Sequence, residues 1–342
     1  MITDQELSGI KNTIVFDSFI KARSVLKNHK NIQVSISGGS DSDVVLDIIH
    51  KVADPAIQNI HYCFFDTGVE YQATKDHLAY LENKYGITIE RERAIKPIPS
   101  CTKEFGQPFI SKFVSEQIER LQAHGFKFED KSYDELVKEY RNISCSLKWW
   151  TNAHVLQKEY RTSQFNINRN KWLKEFLIEN PPKFKISAKC CTYSKKKVAK
   201  KYVKDNQIDL VVIGVRKAEG GVRSVAYDGC YTIGSNGKVD NYRPVFWYSD
   251  DDKRYYEEHF GIIHSRCYTE YGFKRTGCVG CPYNRNVDEE LKTTELQEPK
   301  LYKACTNIFK DAYEYTRQYR EFKEIMNAKE KYGHDQMTIY DI

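Results

Sequence analysis

Ile32-Gln33-Val34-Ser35-Ile36 runs through Ser37-Gly38-Gly39-Ser40 into Asp41 to Val52, and these residues decide the fold. The first five form a short β-rich run. The next four are a loop of small residues. From Asp41 onward Val44, Val45, Ile48 and Ile49 recur on one face of a helix. The unit then repeats. Ile60-His61-Tyr62-Cys63-Phe64-Phe65 is a second β run stopped by Asp66-Thr67-Gly68, a helix covers about 70–85, and Ile87-Thr88-Ile89 reads as a third strand. Strand, loop and helix in this rhythm predict βαβ units: an α/β fold with a parallel twisted sheet and helices on both faces. Ligands of such sheets bind at the carboxyl ends of the strands, where both the Gly38 and Gly68 loops fall.

Working outward, residues 4–30 carry apolar positions at helical spacing. From Ile98 to Pro182 the strand rhythm gives way to helical segments at Lys112–His124, Tyr133–Lys148 and Lys171–Glu179, an insertion or cap. The α/β pattern returns with a helix at Ser194–Asn206, a strand at Leu210–Gly214 and a β-like stretch at Tyr242–Trp247. From about Asp288 the chain is charged and helical. The expected organisation is therefore 1–97 as the first half of the α/β domain and 98–185 as the helical insertion. Residues 186–285 form the second half, with clustered cysteines, and 286–342 a helical extension.

Composition narrows the class. The 342 residues are 40% hydrophobic and 13% aromatic, a core-building balance, and carry a net charge of +6. Mean hydropathy is -0.65, and no apolar run approaches the ~18–20 residues of a membrane span. No basic segment followed by an apolar run opens the chain, so the expectation is a cytoplasmic protein with no membrane partner. In a reducing compartment, the ten cysteines point to metal or redox chemistry rather than to disulfides.

Ser37-Gly38-Gly39-Ser40-Asp41-Ser42 has the chemistry of a phosphate loop. Glycines let the backbone approach an anion, helix-start N–H groups hold it, and three hydroxyls add donors. Asp41 can bind Mg²⁺ or a nucleotide hydroxyl. No Gly-Lys-Ser/Thr follows, so it is not a Walker A loop. An ordinary strand–helix turn is the plainer reading.

Among the cysteines, Cys278-Val279-Gly280-Cys281 can turn two thiolates toward one metal, and Cys190-Cys191 can complete a four-sulfur site. Buried small hydrophobes and a redox dithiol are the alternatives. Four thiolates suit zinc and iron–sulfur alike. Cys230 is a reserve ligand or a free sulfur carrier.

These motifs resemble a family. Ser37–Ser42 is similar to the PP-loop of the adenine nucleotide α-hydrolase-like superfamily, and Asp66-Thr67-Gly68 to an element of its phosphoadenosine phosphosulfate (PAPS) reductase branch. Gly214-Val215-Arg216, Gly220 to Ser224 with Arg223, Pro244 to Trp247, and Gly277 to Pro282 follow in the branch's order. The resemblance implies that Ser37, Gly38, Gly39, Ser40, Asp41 and Ser42 bind the phosphates of an adenine nucleotide. Asp66, Thr67 and Gly68 would line the nucleoside, and Gly214 the nucleotide site. Arg216 and Arg223 would supply positive charge, with Asp41, Arg216, Arg223 and Cys230 as the catalytic set. Plain surface pairing is the alternative for the arginines. The Cys190, Cys191, Cys278, Cys281 pattern resembles the [4Fe–4S] site of adenylyl-sulfate reductases, with Zn²⁺ the runner-up.

The resemblance stops short of the branch's reductase chemistry, because no Glu-Cys-Gly-Leu/Ile-His motif follows. The expected activity is therefore that of an ATP pyrophosphatase or sulfurtransferase, with Mg²⁺ offsetting the charge of the leaving pyrophosphate. Its partners would be ATP, a sulfur-donor protein and a nucleic-acid acceptor. One alternative is a reductase of adenylyl sulfate or PAPS using Cys230 or Cys305. Another is a non-catalytic binding module with structural zinc. For nucleic acid, the insertion offers Lys112, Arg120, His124, Lys127, Lys138, Arg141, Lys148, Lys158, Arg161, Arg169 and Lys171. They interleave with Phe126, Tyr140, Trp149, Trp150, Tyr160, Phe165 and Trp172, while nearby acids and a plain helical cap argue the other way. Gly106-Gln107-Pro108 with Ser111 resembles a loop folded over the nucleotide; the alternative is a helix start.

Overall fold

The computed structural model describes residues 1–155, 163, 165–220, 226–235 and 237–332. Its contacts divide the chain into two compact units: residues 1–97, 193–279 and 293–301, and residues 98–192, 280–292 and 302–342.

The first unit is built on a six-stranded sheet: β1 (Asn31–Ser35), β2 (Asn59–Asp66), β3 (Ile89–Arg93), β4 (Leu210–Ile213), β5 (Tyr231–Thr232) and β6 (Asp240–Tyr242). Their order is β3-β2-β1-β4-β6-β5. All pairings are parallel except that of β5 with β6. Register aligns Val34 with Tyr62 on one side and with Val212 on the other. The chain leaves β1 toward β2 and later returns to β1's opposite edge as β4. The gap between the carboxyl ends of β1 and β4 is thus the place where strand order reverses.

Side-chain alternation sorts the two faces of the sheet. Ile32, Val34, Tyr62, Phe64, Leu210 and Val212 join one core with Phe19, Val44, Ile48, Leu78 and Tyr256, which come from the helices Thr13–Leu26, Ser40–Val52, Gln72–Tyr85 and Asp250–Phe260. Cys63 packs on the other face with Tyr202 of the helix Lys197–Asp205, flanked by Phe65 and Val211. Helices on both faces of a mostly parallel sheet make this the α/β fold expected from the sequence.

Local chemistry moves several boundaries. The N-terminal helix is two helices, Asp4–Ser8 and Thr13–Leu26, because the Asn12 side chain caps a new start by accepting from Val15 N. The third strand begins at Ile89 rather than Ile87, after Gly86 ends the preceding helix at φ +62°.

The second unit is helical, with Ile98–Phe105, Lys112–Ala123, Tyr133–Glu139, Ser144–Trp150, Leu173–Glu179 and Lys310–Tyr332 among its elements. Its core is aromatic: Phe109, Phe126, Trp149, Trp150, Phe176, Tyr315 and Tyr319 are buried together. Asn142, at φ +67°, breaks the expected helix over 133–148 in two. Among the described residues, no helix is long and apolar enough to cross a membrane.

Candidate functional site

The loop Ser37–Ser42 closes β1 and opens the helix Ser40–Val52, whose N-cap is Gly39. Its shape is held from within. Ser42 Oγ accepts from Ser37 N (3.3 Å) and Ser37 Oγ (3.1 Å) and donates to Gly39 O at 2.7 Å. Gly38 sits at φ +67°, where a Cβ would lie 2.7 Å from the Thr74 methyl, so both backbone and space call for glycine. Gly39 faces the Tyr268 and Thr276 hydroxyls, at 3.2 and 3.5 Å from where its Cβ would be. From β4 the backbone comes closer still. A Cβ on Gly214 would stand 3.0 Å from Asp41 C and Ser42 N. The loop and the end of β4 therefore touch through bare backbone at the strand-order switch.

Charge gathers on the same loop. Arg216 Nε and Lys253 Nζ each lie 2.9 Å from Asp41 Oδ1, and a second nitrogen of Arg216 bonds Asp250 at 2.8 Å. Burial works to lower the Arg216 pKa, but Asp250 and Asp41 outweigh it and hold it above its ordinary value. Behind the loop, Asp43 is 1% exposed and its Oδ2 takes His264 Nδ1 (2.8 Å) and His77 Nε2 (3.0 Å). The other ring nitrogen of His264 bonds Glu257 at 2.8 Å.

Burial alone would depress His264; the Asp43 and Glu257 carboxylates reverse this and raise it to about 9. A pKa raised by folding stabilises fully below the unfolded value of about 6.5, and the benefit fades as pH climbs through about 9. The stability difference between wild type and His264→Asn is thus expected to shrink over that window, by up to about 3 kcal/mol. Denaturant melts at several pH values measure it, and a difference independent of pH would remove the protonated histidine from the site.

At the end of β2, Gly68 N donates to Asp66 Oδ1 at 2.8 Å, and the Thr67 hydroxyl donates to Glu70 at 2.6 Å. Burial raises the Glu70 pKa, against the pull of Lys195 and the Thr67 donors. Val279 N donates to Val69 O at 3.1 Å, which pins the segment bearing Cys278 beside this loop.

Of the sequence-predicted residues, Ser37–Ser42, Gly214 and Arg216 come together. Asp66, Thr67 and Gly68 lie at the end of the neighbouring strand. Arg223 lies outside the described residues, as do Lys158, Tyr160 and Arg161. Cys230 stands one residue before β5, half-buried against the main core, and its carbonyl accepts from Arg243 N at 2.7 Å. Lys253, His264, Tyr268 and Thr276 were absent from the sequence reading. Lys253 sits in Asp250-Asp251-Asp252-Lys253-Arg254, which reads as a solvated helix start and carries no spacing to the loop.

For the cysteines, Cys278 belongs to the first unit and Cys190, Cys191 and Cys281 to the second. Within the second unit the Tyr283 hydroxyl is buried without a hydrogen-bond partner. Burial pushes its pKa far up against the pull of Ser115, and the Cys190, Cys191 and Cys281 sulfurs add to the rise. A buried hydroxyl close to three sulfurs fits a thiolate-held centre. Among the described residues, however, no three His, Cys, Asp or Glu side chains form a ready ligand set. Cys305 is fully buried.

Among the described aromatic residues of the insertion's set, Trp149 and Trp150 are 0% exposed and Phe126 5%, Tyr140 and Trp172 are half-buried, and Phe165 is exposed at 47%. Ser111 caps the helix Lys112–Ala123 by accepting from Val114 N, and Gly106, at φ +116°, packs against the Lys185 carbonyl.

Comparison with known proteins finds a family match that spans the loop. Residues 31–138 match the phosphoadenosine phosphosulfate reductase domain. The matched stretch contains the phosphate loop and belongs to the family that the chain's motifs resemble. Among solved structures it is similar to phosphoadenylyl-sulfate (PAPS) reductase from Candida auris, at 14% identity and TM-score 0.41 over 81% of this chain and 96% of that one. It is also similar to the U34-tRNA thiolase NcsA from Methanococcus maripaludis with its [4Fe-4S] cluster, at 16% identity and TM-score 0.39 over 94% and 85%. The NH3-dependent NAD synthetase from Campylobacter jejuni follows at 12% identity and TM-score 0.34, over 91% and 95%. No curated protein matches the sequence.

Proposed function

We propose that this chain is a PP-loop ATP pyrophosphatase of the sulfurtransferase type, adenylating an acceptor so that sulfur can be placed on it. The observation that carries the reading is the bare-backbone contact of Gly214 with Asp41 and Ser42, with Arg216 beside it. It leaves the loop N–H groups and a guanidinium together at the strand-order switch, suited to a phosphate chain.

In the proposed reaction an acceptor oxygen attacks the α-phosphorus of ATP. The α–β phosphoanhydride bond breaks and pyrophosphate leaves. A sulfur nucleophile then displaces AMP from the adenylated acceptor. Ser37–Ser42 hold the phosphates, Asp66–Gly68 border the nucleoside, and Arg216 balances charge on the leaving pyrophosphate. Arg223 is assigned to the same task, and Cys230 to sulfur carriage, on the sequence resemblance alone. Asp41 is the residue for Mg²⁺, which would approach a carboxylate whose Oδ1 already serves Arg216 and Lys253.

Cys190, Cys191, Cys278 and Cys281 would hold a [4Fe–4S] cluster, or zinc. Bound there, a cluster supplies sulfide for transfer, whereas zinc supplies a structural clamp. A nucleic acid is the proposed acceptor and a sulfur-donor protein the proposed partner.

The test is turnover of ATP labelled at the α-phosphate, under anaerobic conditions, with mixed tRNA or duplex DNA as acceptor. AMP and pyrophosphate are expected, with about four irons per chain and absorption near ~400 nm. ADP and phosphate, or no turnover, would refute the adenylation reading; one zinc without iron would refute the cluster.

A further inference from the structure

We infer that Lys253 is a phosphate-binding residue of the loop site, resting on Asp41 until a polyphosphate takes over its charge. The inference depends on the proposed reading of the loop as a phosphate site. Lys253 Nζ lies 2.5 Å from Ser40 Oγ and 2.9 Å from Asp41 Oδ1. It therefore stands against a hydroxyl and a helix start, groups that are themselves donors to an incoming phosphate.

The lysine's backbone is fixed. It occupies the helix Asp250–Phe260, whose start is closed by a Ser249/Asp252 capping box. Glu257, one turn on, lies 3.5 Å from the ammonium and keeps it over the loop. The ammonium's own mobility is untouched, because four rotatable carbons carry it. It can swing from carboxylate to phosphate without moving the helix.

Asp41 Oδ1 holds two cations at once, Lys253 and Arg216, whose side chains are 14% and 10% exposed. Asp250 shares Arg216 at 2.8 Å and Glu257 stands 3.5 Å from Lys253, whereas a pyrophosphate group offers several anionic oxygens to both cations at once. The phosphate chain is thus the better partner. Asp41 is released as the cations transfer, which frees its carboxylate for Mg²⁺.

The experiment measures affinity of the full chain for magnesium pyrophosphate by calorimetry, in wild type and in Lys253→Met, Lys253→Gln and Lys253→Arg. Lys253→Met and Lys253→Gln are expected to bind about tenfold more weakly or worse, and Lys253→Arg to stay within about threefold. Lys253→Gln can keep the hydrogen bond to Ser40, so it separates loss of charge from loss of fold. Wild-type binding left unchanged in folded Met and Gln variants would overturn the role of Lys253 alone. A wild-type chain that takes up no pyrophosphate would overturn the loop reading and this inference together.

Discussion

Gly214→Ala is expected to leave a folded protein that has lost about a hundredfold of its ATP turnover. The added methyl would stand 3.0 Å from Asp41 C and Ser42 N and 3.1 Å from Asp41 O. All three are backbone atoms, so no side chain can rotate away; β4 or the phosphate loop must move. Overpacking of this kind costs about 1–3 kcal/mol of stability. The larger effect falls on the loop, because a shift of a fraction of an ångström misplaces every N–H aimed at the phosphates. Gly229→Ala is the control, since nothing lies within 4 Å of the position its Cβ would take. Turnover of pyrophosphate and the melting temperature are read side by side. Normal turnover in Gly214→Ala would mean that the loop tolerates displacement and does not position the reacting phosphates.

Asp43→Ala should be the most destabilising single change around the site. The carboxylate is 1% exposed and holds His264 and His77 through one oxygen. Removing it leaves the half-buried His264, which Asp43 and Glu257 together keep protonated, with Glu257 alone. Deleting one partner of a buried ion pair costs about 3–5 kcal/mol, more than the pair contributes as a whole. Asp43 also lies in the first turn of the loop's helix, so the loss should reach nucleotide affinity as well. Pairing Asp43→Ala with His264→Asn in a double-mutant cycle isolates the coupling. A cost below about 1 kcal/mol for Asp43→Ala, or strict additivity of the two changes, would contradict the network.

The sheet was legible because its signals are local. Ile32–Ile36 and Ile60–Phe65 switch to period-two apolar runs, and each ends in a loop of Gly with Ser, Thr or Asp. Parallel pairing and the carboxyl-end position of both loops follow from that rhythm. Boundaries were less legible, since capping by Asn12 or the left-handed Asn142 competes with apolar periodicity at single residues. The insertion shows a different limit. Trp149 and Trp150 stand among lysines and read as a stacking surface, yet adjacent aromatic residues at helical spacing are equally good core, and here they are buried.

Lys253 and His264 were illegible for a third reason. Their bonds to Ser40, Asp41 and Asp43 span more than two hundred residues, and only the closed fold brings the helix Asp250–Phe260 and the residues after it to the loop. A charged residue in an acidic helix start carries no mark of such a partner.

Equilibrium binding of MgATP, with pyrophosphate as competitor, tests the central claim most directly when run on wild type and Gly214→Ala together. One nucleotide per wild-type chain, displaced by pyrophosphate and lost in Gly214→Ala, is the result expected of a phosphate cradle between β1 and β4. Nucleotide that binds equally well to Gly214→Ala, or that pyrophosphate fails to displace, would place the phosphates elsewhere and contradict the account.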